Sequence, residues 1–142
     1  MSNVFHGAGN LGDAPTLKRA TVDGEPQPVL EMSIYFDRPV PVEDGAFEDR
    51  GGFWLNAEIW GRRAERAAPL LARGARVRIE GTLVQDTWLD RETEEKRVAF
   101  KLRLDWIAID PLRIEQVKFK ESTRPRREPA DHEDPGTSPE TA

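Results

Sequence analysis

The sequence predicts an all-β fold, a five-stranded barrel with one short helix between its third and fourth strands. Apolar and polar residues alternate, a period typical of strands with one buried face, over residues 30–36, 53–60, 76–83 and 97–104. One other segment, residues 62–71, instead has apolar residues at helical spacing and ends before Gly74. With one further strand near the start of the chain, the order is three strands, a helix and two strands.

The remaining elements complete this order. The first strand is predicted at roughly residues 3–11, where the alternation is weakest. Residues 38–52 contain two prolines and three glycines among acidic residues and predict a long exposed connection. Pro69 weakens the last turn of the helix, and residues 114–119 alternate again and predict an extra edge strand. The order is that of an OB-fold, a small Greek-key barrel whose open face binds oligonucleotides.

The chain divides into a folded domain, residues 1–120, and a tail, residues 121–142. The tail contains four prolines, six acidic residues, three arginines and no large apolar residue. Such a segment cannot offset its ordering entropy by burial, so we expect it to be disordered. It carries much of the net charge of -5, which leaves the domain near neutral.

Composition argues against an enzyme and against cofactor or metal binding. The chain has no cysteine and two widely separated histidines, and we find no nucleophile–base pair. The G-x-G-x-x-G of residues 7–12 follows too short a strand and opens no helix, so it predicts a turn. The Asp-His-Glu-Asp run of residues 131–134 lies in the tail and favours solvation over metal binding. No apolar run is long enough for a membrane span and the start lacks the features of a signal peptide, so we expect a cytoplasmic protein.

The outward face of the predicted barrel carries tryptophans. Successive side chains of a strand point to opposite faces, and the odd positions of the third strand are all apolar, so they face the core. Trp54 and Trp60 therefore point outward. Trp88 shares the outward parity of its own strand unless a bulge intervenes. Trp106 has the core parity of Leu104 and is assigned to the core, outside the site.

Six cations accompany these tryptophans and are candidates for phosphate contacts: Arg62, Arg76, Arg78, Arg97, Lys101 and Arg103. Bases stack on aromatic rings at about 1–3 kcal/mol per base, and cations follow the phosphates. The pattern predicts sequence-independent binding of single-stranded nucleic acid, with Trp54, Trp60 and Trp88 as stacking residues. Two other interpretations remain: the indoles pack under a second subunit, or the cations form an ordinary solvated face.

Several motifs, in their order and spacing, resemble those of the bacterial single-stranded DNA-binding proteins. Residues 9–15 (GNLGDAP) are similar to the family's GNL-x-x-x-P opening, and Trp54 with residues 60–65 (WGRRAE) resembles W-x5-[WF]-G-[KR]-x-A-E. Residues 70–77 (LLARGARV) resemble the family's Y/L-L-x-K-G-x-x-V. Residues 80–90 (EGTLVQDTWLD) resemble its E-G-x-L and W-x-D motifs. The resemblance covers about residues 3–109.

The resemblance implies a protein that binds and protects single-stranded DNA in replication, recombination or repair and assembles as a homotetramer. It also implies that Trp54, Trp60 and Trp88 stack on bases, in agreement with the strand parity. The chain lacks a clear equivalent of the family's stacking aromatic in the loop after the second strand. Its acidic tail lacks the apolar tip that recruits replication and repair enzymes, so tail-mediated recruitment of such partners is in question.

Rival functions stay open at this stage. An OB-fold adaptor would bind a protein through the aromatic face, although the outward cations count against it. An RNA-binding replication accessory would use the same stacking chemistry, because stacking does not separate DNA from RNA. The departures from the family pattern would also suit an accessory copy encoded on a mobile element.

Overall fold

Strands dominate the structure, a computed structural model that describes residues 3–123. The described residues form one α-helix and eight strands, which in chain order are β1 (Phe5–Leu11), β2 (Thr16–Val22), β3 (Glu25–Phe36), β4 (Pro39–Pro41), β5 (Phe47–Asp49), β6 (Phe53–Trp60), α1 (Arg62–Ala67), β7 (Arg76–Leu89) and β8 (Lys96–Ile109).

Five of these strands close into a ring in the order β1-β7-β8-β6-β3. The ring closes because β1 pairs with β7 along most of its length and with β3 at Asn10–Tyr35 and Leu11–Ile34. The β6–β8 pair is parallel, and the other pairs are antiparallel. In chain order, helix α1 lies between the third and fourth of these five strands, β6 and β7. The predicted five-stranded OB-fold with one short helix is therefore confirmed.

Gly9 permits this closure. A Cβ atom at position 9 would run into the carbonyl oxygen of Tyr35 and would lie 2.8 Å from Cγ2 of Ile34. Strand β1 therefore crosses β3 at a distance that only glycine allows. The glycine of the GNL motif is thus required by the geometry of the barrel.

Apolar side chains from every strand of the ring fill the barrel. The most deeply buried are Leu30, Ile34, Ile59, Val77, Ile79 and Leu102. Helix α1 covers the core with Ala64, which is fully buried, and with the partly buried Ala67. None of the helices within residues 3–123 has the length and apolarity that crossing a membrane requires.

Strand β2 forms a hairpin with β3, the second ring strand in chain order, and this hairpin is absent from the sequence-based prediction. Strands β2 and β3 pair from Thr16–Glu31 to Val22–Glu25 around Asp23 and Gly24. Both turn residues have positive φ, 51° and 82°, which is the requirement of a type I′ turn. The Asp-Gly pair was a readable hairpin signal.

Three further differences concern the chain connections. Residues 38–52 were predicted as a plain loop but contain the short β4–β5 hairpin. The predicted helix of residues 62–71 ends as an α-helix at Ala67 and continues as a 3₁₀ turn through Pro69. Residues 114–119 form no strand, so the predicted extra edge strand is wrong. Most of the predicted tail, from residue 124 onward, lies outside the described residues.

A β-bulge at Asp105 reverses which side chains point outward in the last residues of β8. Glu80 pairs with Trp106 and Gly81 pairs with Leu104, so Asp105 has no cross-strand partner. An unpaired residue reverses the alternation that follows it. Trp106 therefore points outward and is 53% exposed, and its assignment to the core is wrong.

The β4–β5 hairpin is tied to the barrel through Asp49. The Tyr35 hydroxyl donates to one Asp49 carboxylate oxygen at 2.5 Å, and the Arg38 amide donates to the other at 2.9 Å. The hydrogen bond to Asp49 is the main reason why the pKa of Tyr35 is raised, with desolvation and the charges of Asp49 and Asp37 adding to it. The hydrogen bond from Tyr35 is the main reason why the pKa of Asp49 is lowered, and the hydrogen bond from the Arg38 amide lowers it further.

Titration of Tyr35, the single tyrosine of the chain, measures this hydrogen bond. We expect the phenolate absorbance to rise with a midpoint above the ordinary pKa of 10.0, and Asp49→Ala to return the midpoint toward that value. On the alkaline side the hydrogen bond breaks as pH rises through the raised pKa of Tyr35. On the acid side it weakens as pH falls through the pKa of Asp49, below 3.8.

The matched control is Asp44→Asn, in the turn of the same hairpin. It leaves the Tyr35–Asp49 hydrogen bond intact, so the midpoint should stay raised. Identical midpoints for wild type and Asp49→Ala would show that this hydrogen bond does not form in solution.

Candidate nucleic-acid interface

Trp54 lies on the outward face of β6 and is 56% exposed. The odd positions of β6 face the core, as the apolar pattern predicts, with Ala57 and Ile59 buried. The Tyr35 ring lies 5.2 Å from that of Trp54, centroid to centroid and tilted by 57°. This pair leaves much of the indole open to solvent.

Trp88 lies on a two-stranded arm that extends from the barrel. The arm comprises residues 84–101 and pairs from Val84–Lys101 to Leu89–Lys96. The bulge lies in β8 at Asp105, so Trp88 keeps the outward parity of its own strand, and it is 51% exposed. Because β6 runs parallel to β8 with Asn56 beside Lys101, Trp54 and Trp88 lie toward the same end of this face.

Trp60 lies at the opposite end of β6 and is half-buried. The guanidinium carbon of Arg103 lies 5.9 Å from the ring centroid, within the range of a cation–π contact. The indole Nε1 is buried without a hydrogen-bond partner within residues 3–123. Trp60 is thus less open than Trp54, with a cation at its ring.

Glu58 organises two of the predicted phosphate-contacting cations. Its side chain is nearly buried between Trp54 and Trp60, with Lys101 Nζ at 3.6 Å and Arg103 Nη2 at 3.5 Å. Lys101 also lies 3.2 Å from the Asp86 carboxylate. Glu58 therefore holds both cations on the tryptophan face, where part of their charge is already balanced.

Arg97 is held at the tip of the arm, opposite Trp88 in the register. Its Nε and Nη2 atoms both lie 3.2 Å from one carboxylate oxygen of Asp90. The pKa of Asp90 is lowered because its carboxylate accepts from the backbone amides of Glu92 and Thr93, and Arg97 lowers it further. The turn thus fixes the carboxylate, and the carboxylate fixes the guanidinium.

Of the other three predicted cations, two lie in a different sector of the barrel and one lies beside Trp60. Arg76 and Arg78 lie on β7 opposite Asn10 and Ala8 of β1, a different sector of the barrel from β6. Arg76 pairs with Asp37 at 2.7 Å, whereas Arg78 has no ion pair within residues 3–123. Arg62 begins helix α1 beside Trp60. The structure thus brings together Trp54, Trp60, Trp88, Arg97, Lys101 and Arg103, but not Arg76 or Arg78.

Trp106 and Arg63 are the aromatic and the cation that sequence reasoning missed. The guanidinium carbon of Arg63 lies 4.9 Å from the Trp106 ring centroid. A signal for the outward turn was present, because the apolar positions change from even at Leu102 and Leu104 to odd at Ile107 and Ile109. Such a change of phase marks a bulge.

Known proteins resemble this chain in sequence and in fold. The curated single-stranded DNA-binding protein of Thermosynechococcus vestitus is 29% identical over 128 residues, 90% of this chain and 92% of its own length. That of Mycobacterium bovis is 34% identical over 82 residues, 58% of this chain, but the match spans only 49% of the relative.

Solved structures share the fold. The small single-stranded DNA-binding protein of Streptomyces coelicolor superposes with a TM-score of 0.66 at 17% identity, covering 80% of this chain and 98% of that one. A deletion mutant of the Thermus aquaticus single-stranded DNA binding protein gives a TM-score of 0.57 at 23% identity, covering 78% and 50%.

The family comparison covers the whole barrel. The profile of the Single-strand binding protein family matches residues 3–110, from just before β1 to the residue after β8. The chain belongs to the single-strand binding protein family.

Proposed function

We propose that this chain binds single-stranded DNA without reading its sequence, through bases stacked on Trp54, Trp60 and Trp88. The observation that carries the proposal is the outward face of the barrel. There the exposed Trp54 and the half-buried Trp60 lie at the two ends of β6, the exposed Trp88 lies on the arm, and cations lie among them. Every base has an aromatic face, so stacking tolerates any sequence.

Family membership supports single-stranded DNA as the ligand, and it bears on enzymatic activity and on location in the cell. Members are DNA-binding proteins without enzymatic activity, which confirms the prediction that the chain is not an enzyme. The family acts on DNA, which implies a location in the cytoplasm or at the nucleoid. We propose the nucleoid as the place of action, with roles in replication, recombination or repair.

The cations proposed to contact phosphates fall into two groups, those among the tryptophans and those farther away. Arg97, Lys101 and Arg103 lie among the tryptophans, so a strand stacked there passes within reach of them. Arg62 extends this set onto α1, whereas contacts to Arg76 and Arg78 require the strand to continue across β7. Because Glu58 already pairs with Lys101 and Arg103, a phosphate replaces or shares a carboxylate partner, and the net gain is smaller than for a free cation.

We further propose a homo-oligomer, four copies by analogy with the family. The arm carries an apolar face that the single chain leaves open, since Leu89, Val98 and Phe100 are 67%, 48% and 53% exposed. Patches of this kind are typical of subunit contacts. Residues 1–120 would form the repeated domain and residues 121–142 its acidic tail. Sedimentation at micromolar concentration tests this, and a monomer mass would refute it.

Tryptophan fluorescence tests the stacking. Single-stranded oligo-dT should quench the emission strongly, whereas duplex DNA should quench far less because its bases are already stacked. Trp54→Ala should weaken oligo-dT binding by about 1–3 kcal/mol. The control is Phe119→Ala, an aromatic residue outside the barrel that is 86% exposed. Equal quenching by duplex and single strand at matched occupancy would contradict stacking.

Salt dependence tests the phosphate contacts. Binding of oligo-dT should weaken as salt rises. In a plot of the logarithm of the binding constant against the logarithm of the salt concentration, Lys101→Ala should reduce the magnitude of the slope by about 0.7 for each phosphate that the lysine neutralises in the wild type. Lys120→Ala, in the segment after the barrel, is the matched control and should leave the slope unchanged. A slope that Lys101→Ala does not alter would remove this lysine from the interface. The same measurement on Arg78→Ala tests whether the strand also crosses β7.

A further inference from the structure

A second aromatic position lies beyond Trp60, where the barrel face meets helix α1. Trp60 and Trp106 line one cleft together with Arg62, Arg63 and Arg66, and these five residues are named the Trp106 cleft. A neighbouring depression shares Trp60 and Arg63 and also includes Arg103. The Trp106 cleft is therefore continuous with the face that carries Trp54 and Trp60.

Trp106 offers a flat surface that is oriented by its neighbours. The bulge at Asp105 turns the indole out of the barrel, and bulges that re-aim a side chain recur beside functional sites. Arg63 lies over the ring at 4.9 Å from the centroid. With 53% of the residue still exposed, much of the aromatic surface stays accessible to a ligand.

The charge of the Trp106 cleft favours an anion. No carboxylate from the described part of the chain lines it, and none of Arg62, Arg63 and Arg66 forms an ion pair with any residue from 3 to 123.

Two acids lie close to the cleft and oppose an anion there. Asp105 lines the neighbouring depression, and Glu80 pairs with Trp106 in the register. Glu65, on the same helix as the arginines, pairs with Arg19 at 3.3 Å. Three guanidiniums without an ion pair among residues 3–123 outweigh these two carboxylates.

We propose that the Trp106 cleft is a further subsite for single-stranded DNA, in which a base stacks on Trp106 and phosphates contact Arg62, Arg63 and Arg66. The inference rests on the proposed function, because it concerns the strand that leaves Trp60. An acidic peptide would satisfy the arginines but gives no role to the exposed indole. Contact between copies of the chain would bury the indole but confine unpaired guanidiniums, which is costly. A nucleic-acid strand uses both features.

Oligonucleotides of two lengths test the subsite in the full-length protein. A dT oligomer of about 8 nucleotides fits within the site of one OB-fold, whereas one of about 30 nucleotides extends beyond it. Trp106→Ala should leave the short oligomer's affinity unchanged and weaken the long one about fivefold or more, the equivalent of one stacked base. Trp106→Phe should retain most of the affinity. Leu112→Ala, 90% exposed and outside the cleft, is the control.

A direct readout does not depend on weakened affinity. The chain has four tryptophans, so the variant Trp54→Phe, Trp60→Phe and Trp88→Phe shows the emission of Trp106 alone while it keeps aromatic rings at the other positions. The long oligomer should quench this emission and the short one should not.

The possible failures are distinguishable. If the wild type binds no single-stranded DNA, the proposed function and this inference fail together. If the wild type binds but Trp106→Ala has no effect on the long oligomer, the subsite alone is overturned. A change of sedimentation mass in Trp106→Ala assigns the cleft to contact between copies and overturns it. Quenching of Trp106 by poly-glutamate as strong as by DNA assigns it to acidic peptides, with the same consequence.

Discussion

Closure of the barrel is the constraint on which the rest of the structure depends. Because β1 pairs with both β7 and β3, each strand of the ring has a neighbour on both sides and one face in the core. Outward side chains are then fixed by parity and not by their own preference for water. Indoles at Trp54 and Trp88 remain exposed because the inner face is already filled by Ile59, Ile79, Leu102 and their neighbours. The core thus determines which side chains a ligand meets.

The sequence was sufficient for the barrel and for most of the aromatic face, because both follow from a local period. Alternation located the ring strands, and parity placed Trp54, Trp60 and Trp88 outward. The family resemblance agreed, and the profile match confirmed it. Membership of a DNA-binding family also weakens the adaptor and RNA-binding interpretations that composition had left open.

Long-range partners could not be predicted from a local pattern. Arg76 meets Asp37, and Lys101 and Arg103 meet Glu58, only because the register of the closed ring brings distant segments together. For the same reason six cations of similar appearance in sequence differ within residues 3–123, some bound to carboxylates and others not. The β2–β3 turn and the exposure of Trp106 are different cases. Their signals, an Asp-Gly pair and a change of apolar phase, were present in the sequence.

The single unpaired residue at Asp105 determines what sequence alignments with related proteins should show at and after this position. Deletion of this residue would restore regular pairing without changing the facing that follows, because Leu104 and position 106 would keep Gly81 and Glu80 as partners. A homologue with a gap at 105 should therefore keep an apolar residue where Ile107 packs against the core and an outward residue where Trp106 stands. Position 106 turns inward only in a chain that keeps a residue at 105 and pairs it regularly, so an apolar residue at 106 with a polar one at 107, and no gap, marks a chain without the bulge.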